Sequence, residues 1–342
     1  MIRQSFNSLF MVAAAIALLN MQPAIAAEVN VYSARKEALI KPLLDRFSAD
    51  TGIRVNLVTG KADALLARLL SEGVNSPADV LITTDAGRLH RAKTADVLQA
   101  VDSTVLAAAV PAEFTDSDGY WFGLSMRARP VMYAKDRVDP TTLNDYEDLA
   151  SSEWKARICV RSSDNIYNQS MVASMLIARG VESTEEWAEA LVANLARDPK
   201  GGDRDQIKAV AAGQCDVAIA NTYYLAHLLN SDDSNERRAA QAVAIHWPNQ
   251  SGRGTHVNVS GIGMTRAAPN PDQALRLMEY LVGDAAQTWY AESNYEYPVK
   301  LGLGLSPTVA AWGKFKADSV SLSRLGEFNS RAVMLMDRAG WR

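Results

Sequence analysis

The chain has 342 residues, an ordinary globular composition, 39 acidic against 35 basic residues and a formal charge of −4. So mild a charge, with no block of like-signed residues, excludes a surface built for nucleic acid or for an anionic membrane. A chain of this length exceeds what one hydrophobic core usually organises, so two lobes are expected.

Its first segment fixes a compartment. Arg3 supplies a positive start, Leu9 to Leu19 is an apolar run, and Ala24-Ile25-Ala26 offers small residues at the spacing of a signal-peptidase site. Cleavage is expected after Ala26, which leaves 316 of the 342 residues and takes the charge from −4 to −5 through loss of Arg3. The apolar run is too short, and too soon followed by Gln22 and Pro23, to span a bilayer, and no later segment reaches membrane length. A soluble protein outside the cytoplasm is the expectation.

Downstream the pattern is strand, helix, strand. Val29–Ser33 reads as a strand, and Leu39, Ile40, Leu43, Leu44 and Phe47 then form one helical stripe closed by Gly52, with Pro42 near its start. Ile53–Thr59 is a strand, Ala62–Glu72 a helix stopped by Gly73, and Ala78–Thr84 a strand of buried type. That rhythm predicts a largely parallel sheet with helices on its faces, and such sheets bind ligands at the carboxyl ends of their strands. Past the β segment expected at Val131–Ala134 a second unit repeats it. Arg157–Arg161 is a strand, Asn168–Arg179, Glu182–Leu195 and Asp205–Ala212 are helices, and Cys215–Asn221 is a strand running into the helix Thr222–Asn230. Ser231–Arg238 reads as a solvated loop, Val257–Thr265 as a strand, Pro271–Val282 as a helix, and the tail from Pro307 as helical in parts.

Only two cysteines are present. Cys159 stands eight residues before Tyr167, and Cys215 eight before Tyr223, each in an apolar run that reads as a strand leading into a helix. In an oxidising compartment a disulfide is expected if those strands are neighbours; two buried thiols are the alternative.

The sharpest local feature is Asn221-Thr222-Tyr223-Tyr224, two phenols where a strand gives way to a helix; Tyr167 follows its own strand at a comparable place. Helix N-termini favour negative charge. A phenol, with a pKa near ~10, ionises at neutral pH only beside something strongly cationic, and a small hard cation does this because metals deprotonate their ligands. Hard oxygen donors without thiolate or imidazole point away from zinc and copper, and phenolate suits ferric iron. A lone tyrosine would more often be a half-buried residue with its hydroxyl bonded. Arg127 and Arg129, at alternate positions before Val131, could turn a planar fork toward an oxyanion such as carbonate, or could simply form salt bridges. Tyr32, Arg35 and Glu37 lie at the end of the first strand, Arg35 as a further anion contact, Tyr32 and Glu37 as possible ligands or cleft residues.

Taken in order, Tyr32-Ser33-x-Arg35, Trp121-Phe122-Gly123 with Arg127-x-Arg129, Asn165 to Ser170, Asn221 to Tyr224 and Asn294 to Pro298 resemble the periplasmic ferric-ion-binding proteins of ABC transporters, over essentially the whole mature chain. The resemblance implies the type II periplasmic-binding-protein fold, two hinged α/β lobes about a central cleft. The N-lobe would comprise 27–125 plus about 255–300, the C-lobe about 126–254 plus about 301–342. It implies iron-ligating Tyr167, Tyr223 and Tyr224, a carbonate or bicarbonate held by Arg127, and Asn221 behind the ligands. It further implies a monomeric, non-enzymatic carrier of Fe(3+) serving an inner-membrane ABC permease from the periplasm. Where many members carry a histidine after the first strand, this chain has Lys36 and Glu37, so the subgroup of three tyrosines is expected. The same fold with another cargo, a phosphonate, sulfate, polyamine or thiamine, is the alternative. A secreted enzyme is disfavoured, since Gly-x-Ser-x-Gly, His-Glu-x-x-His and Cys-x-x-Cys are all missing from the sequence.

Overall fold

The computed structural model describes residues 27–342, and the expected signal segment lies outside the described residues. Among the described residues ten strands make two sheets. They are β1 (Glu28–Ser33), β2 (Arg54–Thr59), β3 (Val80–Thr84), β4 (Phe122–Ala128), β5 (Val131–Ala134), β6 (Ile158–Cys159), β7 (Val217–Ile219), β8 (Val243–His246), β9 (Val257–Met264) and β10 (Tyr297–Pro298). The first sheet has the order β10-β4-β9-β3-β1-β2, the second β6-β7-β5-β8.

Each sheet is the floor of one lobe. The expected parallel pairing holds for β1 with β2 and β3, and for β6 with β7. Elsewhere the sheets are antiparallel, a correction to the largely parallel reading. The reason is topological: β4 passes into the second lobe through Arg129-Pro130, and the chain comes back from β8 as β9, which therefore runs against both β3 and β4. All eight residues of β9 are buried. Gly261 faces Gly123 across the β4–β9 ladder; a Cβ on Gly261 would stand 2.8 Å from the Phe122 carbonyl and 2.6 Å from Leu89, so only glycine fits that close approach.

The first helical stripe becomes a 3-10 turn at Glu37–Leu39 and then a helix at Lys41–Thr51, with Pro42 in its first turn, where a missing N–H costs nothing, and Gly52 at φ 72° ending it. The expected loop 231–238 is instead largely the helix Ser234–Gln241, started by the Asp233 side chain accepting from the Asn235 amide and packed down through Ala240. The polar run there is the outer face of a helix rather than a turn.

Segments near the C-terminus lie against both lobes. The helix Leu322–Glu327 packs on Ala86–Thr94 of the first lobe, and Asn329–Arg338 packs on Ile166–Arg179 and Val181–Ala193 of the second. Among the described residues no helix is long and apolar enough to cross a membrane.

Cys159 and Cys215 form a disulfide with Cα atoms 5.9 Å apart. It fastens β6, a two-residue edge strand, to β7, where the ladder has only the pairs Ile158–Val217 and Cys159–Ala218. Loop-closure entropy over a separation of 56 residues corresponds to about 4 kcal/mol. The variant C159A/C215A should therefore show a correspondingly lower urea midpoint, with a somewhat steeper slope because the freed unfolded chain exposes more surface; an unaltered midpoint would show that the bond adds nothing to stability.

Candidate metal centre

The tyrosines stand where the sequence places them. Tyr167 is the second residue of the helix Ile166–Arg179, whose start is held by the Asn165 side chain accepting from the Tyr167 amide at 3.2 Å. Tyr223 and Tyr224 are the second and third residues of Thr222–Leu229. The two helices spring from the disulfide-linked neighbours β6 and β7, so their first turns come up side by side.

The phenols converge. Tyr223 Oη donates to Tyr167 Oη at 3.4 Å, and the Tyr223 and Tyr224 rings are 4.2 Å apart, centroid to centroid. Oxygens bound at ~2 Å to one hard cation at right angles lie about 2.8 Å from each other, so the pair is nearly at chelating distance already. All three rings are half-buried.

The electrostatics set a high barrier to ionisation without a cation. Burial pushes the Tyr223 phenol well above its ordinary value; Tyr167 and then Tyr224 push the same way, and only Arg127 among the stronger influences opposes them. Tyr224 is raised by burial, by Tyr167 and by Asp203. Tyr223 and Tyr224 are therefore neutral, crowded acids at neutral pH, each of which would make room for negative charge only against a multivalent cation.

Guanidiniums surround Tyr167, with Arg127 at 5.3 Å from the ring centroid and Arg129 and Arg161 at 5.9 Å. Arg127 and Arg129 fare differently. Arg127 is 2% exposed and donates Nη1 to Ser260 Oγ at 3.0 Å, while its Nε and Nη2 make no hydrogen bond within the protein. Two buried unsatisfied donors beside the phenols are what an oxyanion would satisfy. Arg129 is tied up with Asp203, Asn221, Asn168 and the Ile219 carbonyl. Asn221 accepts from Arg129 at 2.9 Å and donates its amide to Asp203 at 2.8 Å, with its Nδ2 unpartnered.

On the first-lobe side Arg35, buried, pairs with Glu296 at 2.8 Å and also reaches Ser125. Its Nε has no partner, and it is near enough to Tyr223 for the phenol to act on its charge. Tyr32 is not brought to the cluster. Its hydroxyl donates to both oxygens of Glu72 beneath Arg68, and burial followed by that carboxylate lifts its pKa to about 12. Tyr32 packs in one cluster with Leu65 and Leu69 of the helix Ala62–Glu72, which the sequence reading of a strand end did not resolve. Glu37 is solvent-exposed in its 3-10 turn.

The structure adds residues that the sequence reading did not single out. Asp203 is fully buried and accepts from Arg129, Arg161 and the Asn221 amide; in sequence it looks like any acid in the first turn of a helix. Asp85, also buried, has φ 89°. It accepts from Asn258 and, across the lobes, from Ser170 at 2.7 Å, one turn beyond Tyr167. Burial raises its pKa while Arg127 draws it down. A non-glycine left-handed residue could not be told from sequence. His227 lies edge-on between Tyr223, at 6.4 Å, and Tyr295 of the first lobe, at 5.0 Å. Among the described residues no three His, Cys, Asp or Glu side chains form a metal-ligating group, so the phenols are the concentrated donor set.

Known proteins resemble this chain over most of its length. The sequence profile described as bacterial extracellular solute-binding protein matches residues 43–317. Iron uptake protein A1 of Synechocystis is 49% identical over 92% of this chain and 88% of its own. The Trichodesmium protein IdiA, or FutA, solved with iron and citrate ligands, superposes with a TM-score of 0.90 at 47% identity, covering 92% of this chain and all of that one. The apo ferric-ion-binding protein A of Pasteurella haemolytica gives 0.87 at 46% identity over 92% and 98%.

Proposed function

Since the chain belongs to the bacterial extracellular solute-binding proteins, we infer that it captures ferric iron between its two lobes and delivers it to an inner-membrane ABC permease from the periplasm. The single observation that carries the reading is the convergence of Tyr167, Tyr223 and Tyr224, with the first two hydroxyls 3.4 Å apart. Three phenolates neutralise the three charges of the ion, so the buried site gains no net charge on loading.

Arg127 then remains as the unbalanced cation at the centre, and its free Nε and Nη2 suit a carbonate that completes the iron shell. Arg35 faces the same space, largely offset by Glu296. Asn221, bonded to Arg129 and Asp203, stands behind the ligands rather than meeting the ion. On this reading the second lobe binds first and the first lobe closes over it. Bending would occur where β4 passes to β5 and β8 returns to β9. The protein is a carrier, acting as a monomer, with no chemical step of its own.

Titration with ferric citrate tests this directly. A visible phenolate-to-iron absorption band should grow to one equivalent, and calorimetry should show heat with ferric citrate but none with a phosphonate, sulfate, spermidine or thiamine. A protein that stays colourless while binding one of the latter is a carrier of the same fold for a different cargo.

A further inference from the structure

We propose that Asp203 and Arg129 act as one positioning unit that sets the separation of the two tyrosine-bearing segments. The proposal rests on the ferric-iron reading above and adds residues to it that touch neither ion nor anion.

The β6–β7 ladder ends at Cys159–Ala218. Beyond it one chain runs through Arg161 to the Tyr167 helix and the other through Asn221 to the Tyr223 helix. What joins them above the ladder is side-chain bonding. Asp203 Oδ1 accepts from Arg161 Nη1 at 3.2 Å, and Oδ2 accepts from the Asn221 amide at 2.8 Å and from Arg129 Nη1 at 3.0 Å. Arg129 extends the same unit, donating Nη1 to Asn221 Oδ1 at 2.9 Å and Nη2 to Asn168 Oδ1 at 2.6 Å. Asn168 in turn donates to the carbonyls of Arg161 and Ser162. Asn168 is the residue after Tyr167 and Asn221 stands two before Tyr223. The pair therefore grips both ligand segments, and it does so from the residue that links the two sheets, since Arg129 directly follows β4. Asp203 and Arg129 are 0% and 2% exposed at their side chains, so water does not substitute for either.

The chemistry requires a carboxylate. Every partner of Asp203 is a donor, and an ionised carboxylate accepts on both oxygens; an amide in its place would set an NH2 group against an N–H. A second role is conceivable for a buried anion here, and it has the opposite sign. By Coulomb's law a negative charge near the phenols disfavours phenolate. If Asp203 acted only as such a charge, D203N would hold iron more tightly. A positioning role predicts weaker hold.

The test compares wild type, D203N, R129M and R129M/D203N, each loaded with ferric citrate and then challenged with excess EDTA. Iron release should be at least about tenfold faster in each single variant, the range typical of lost outer-shell support, with a displaced absorption maximum. The double variant should be no worse than the worse single one, as for two parts of one unit. Val243→Ala, on the far edge strand of the same sheet, sets how much a general loss of stability does to release. Should the singles fail to fold, R129M/D203L removes both charges without leaving either buried alone; faster release and a shifted band in that variant support the unit. D203N or R129M/D203L releasing iron at the wild-type rate or more slowly, with an unmoved band, overturns it. A wild type that takes up no iron overturns the cargo reading and this one with it, whereas a loaded wild type beside an equally retentive D203N overturns the positioning role alone.

Discussion

Replacing Tyr223 by phenylalanine should strip the protein of ferric iron while leaving the fold standing. Tyr223 is the middle member of the set, hydrogen-bonded to Tyr167 and with its ring tilted against that of Tyr224. Its loss removes one anionic donor, leaves the ion one charge short of neutrality and opens a position to water. Disturbing outer-shell partners alone costs about 10–100-fold in metal affinity, so deletion of a ligand should exceed a hundredfold. The visible band should lose intensity and move. Stability of the iron-free protein should change little, within roughly 1 kcal/mol, because the 3.4 Å contact is long for a hydroxyl pair and the ring is kept. Iron affinity by chelator competition and the urea midpoint separate the two effects. Equal affinity in Y223F and wild type would mean that the phenols meet no metal.

Iron retention should fall steeply in acid. Tyr223 and Tyr224 are raised above the ordinary phenol value, burial first among the causes, so without iron both carry their protons at every physiological pH. Ferric binding must expel the proton of each of these two phenols, and the apparent association constant should drop by at least about a hundredfold for each pH unit of acidification. The sign for the iron-free fold differs. A raised pKa contributes stability below the unfolded phenol value near ~10 that is lost as pH climbs toward the folded value. The empty protein should therefore weaken in strong alkali, while the loaded one fails in acid. Chelator competition between pH 5 and 8 gives the slope; a flat profile would exclude phenolate ligation.

Much of the site was legible because its signals are local. A strand that ends in Asn221-Thr222-Tyr223-Tyr224 announces phenols at a helix start from residues adjacent in the chain, and the equal spacing from Cys159 to Tyr167 and from Cys215 to Tyr223 foretold strands at one height. The arginines were legible only as a pair. Arg127 and Arg129 are two residues apart on one extended segment, yet one ends with free nitrogens beside the phenols and the other inside a web of four partners. Tyr32 likewise looked like a cleft residue from its place near a strand end and proved to be bonded to Glu72, forty residues on.

The sequence by itself determined the alternation of strands and helices and the placing of phenols at helix starts, since periodicity and caps are properties of neighbouring residues. Tertiary structure alone decided the antiparallel pairings of each sheet, the burial of Asp203 under two guanidiniums, the reach of Asp85 to Ser170 across the lobes, and which arginine keeps free Nε and Nη2 beside the phenols. The physical reason is that strand direction follows from where the chain re-enters a lobe. The fate of a charge depends on the donors and acceptors that folding brings within 3 Å, from segments as much as 92 residues apart in the case of Arg129 and Asn221.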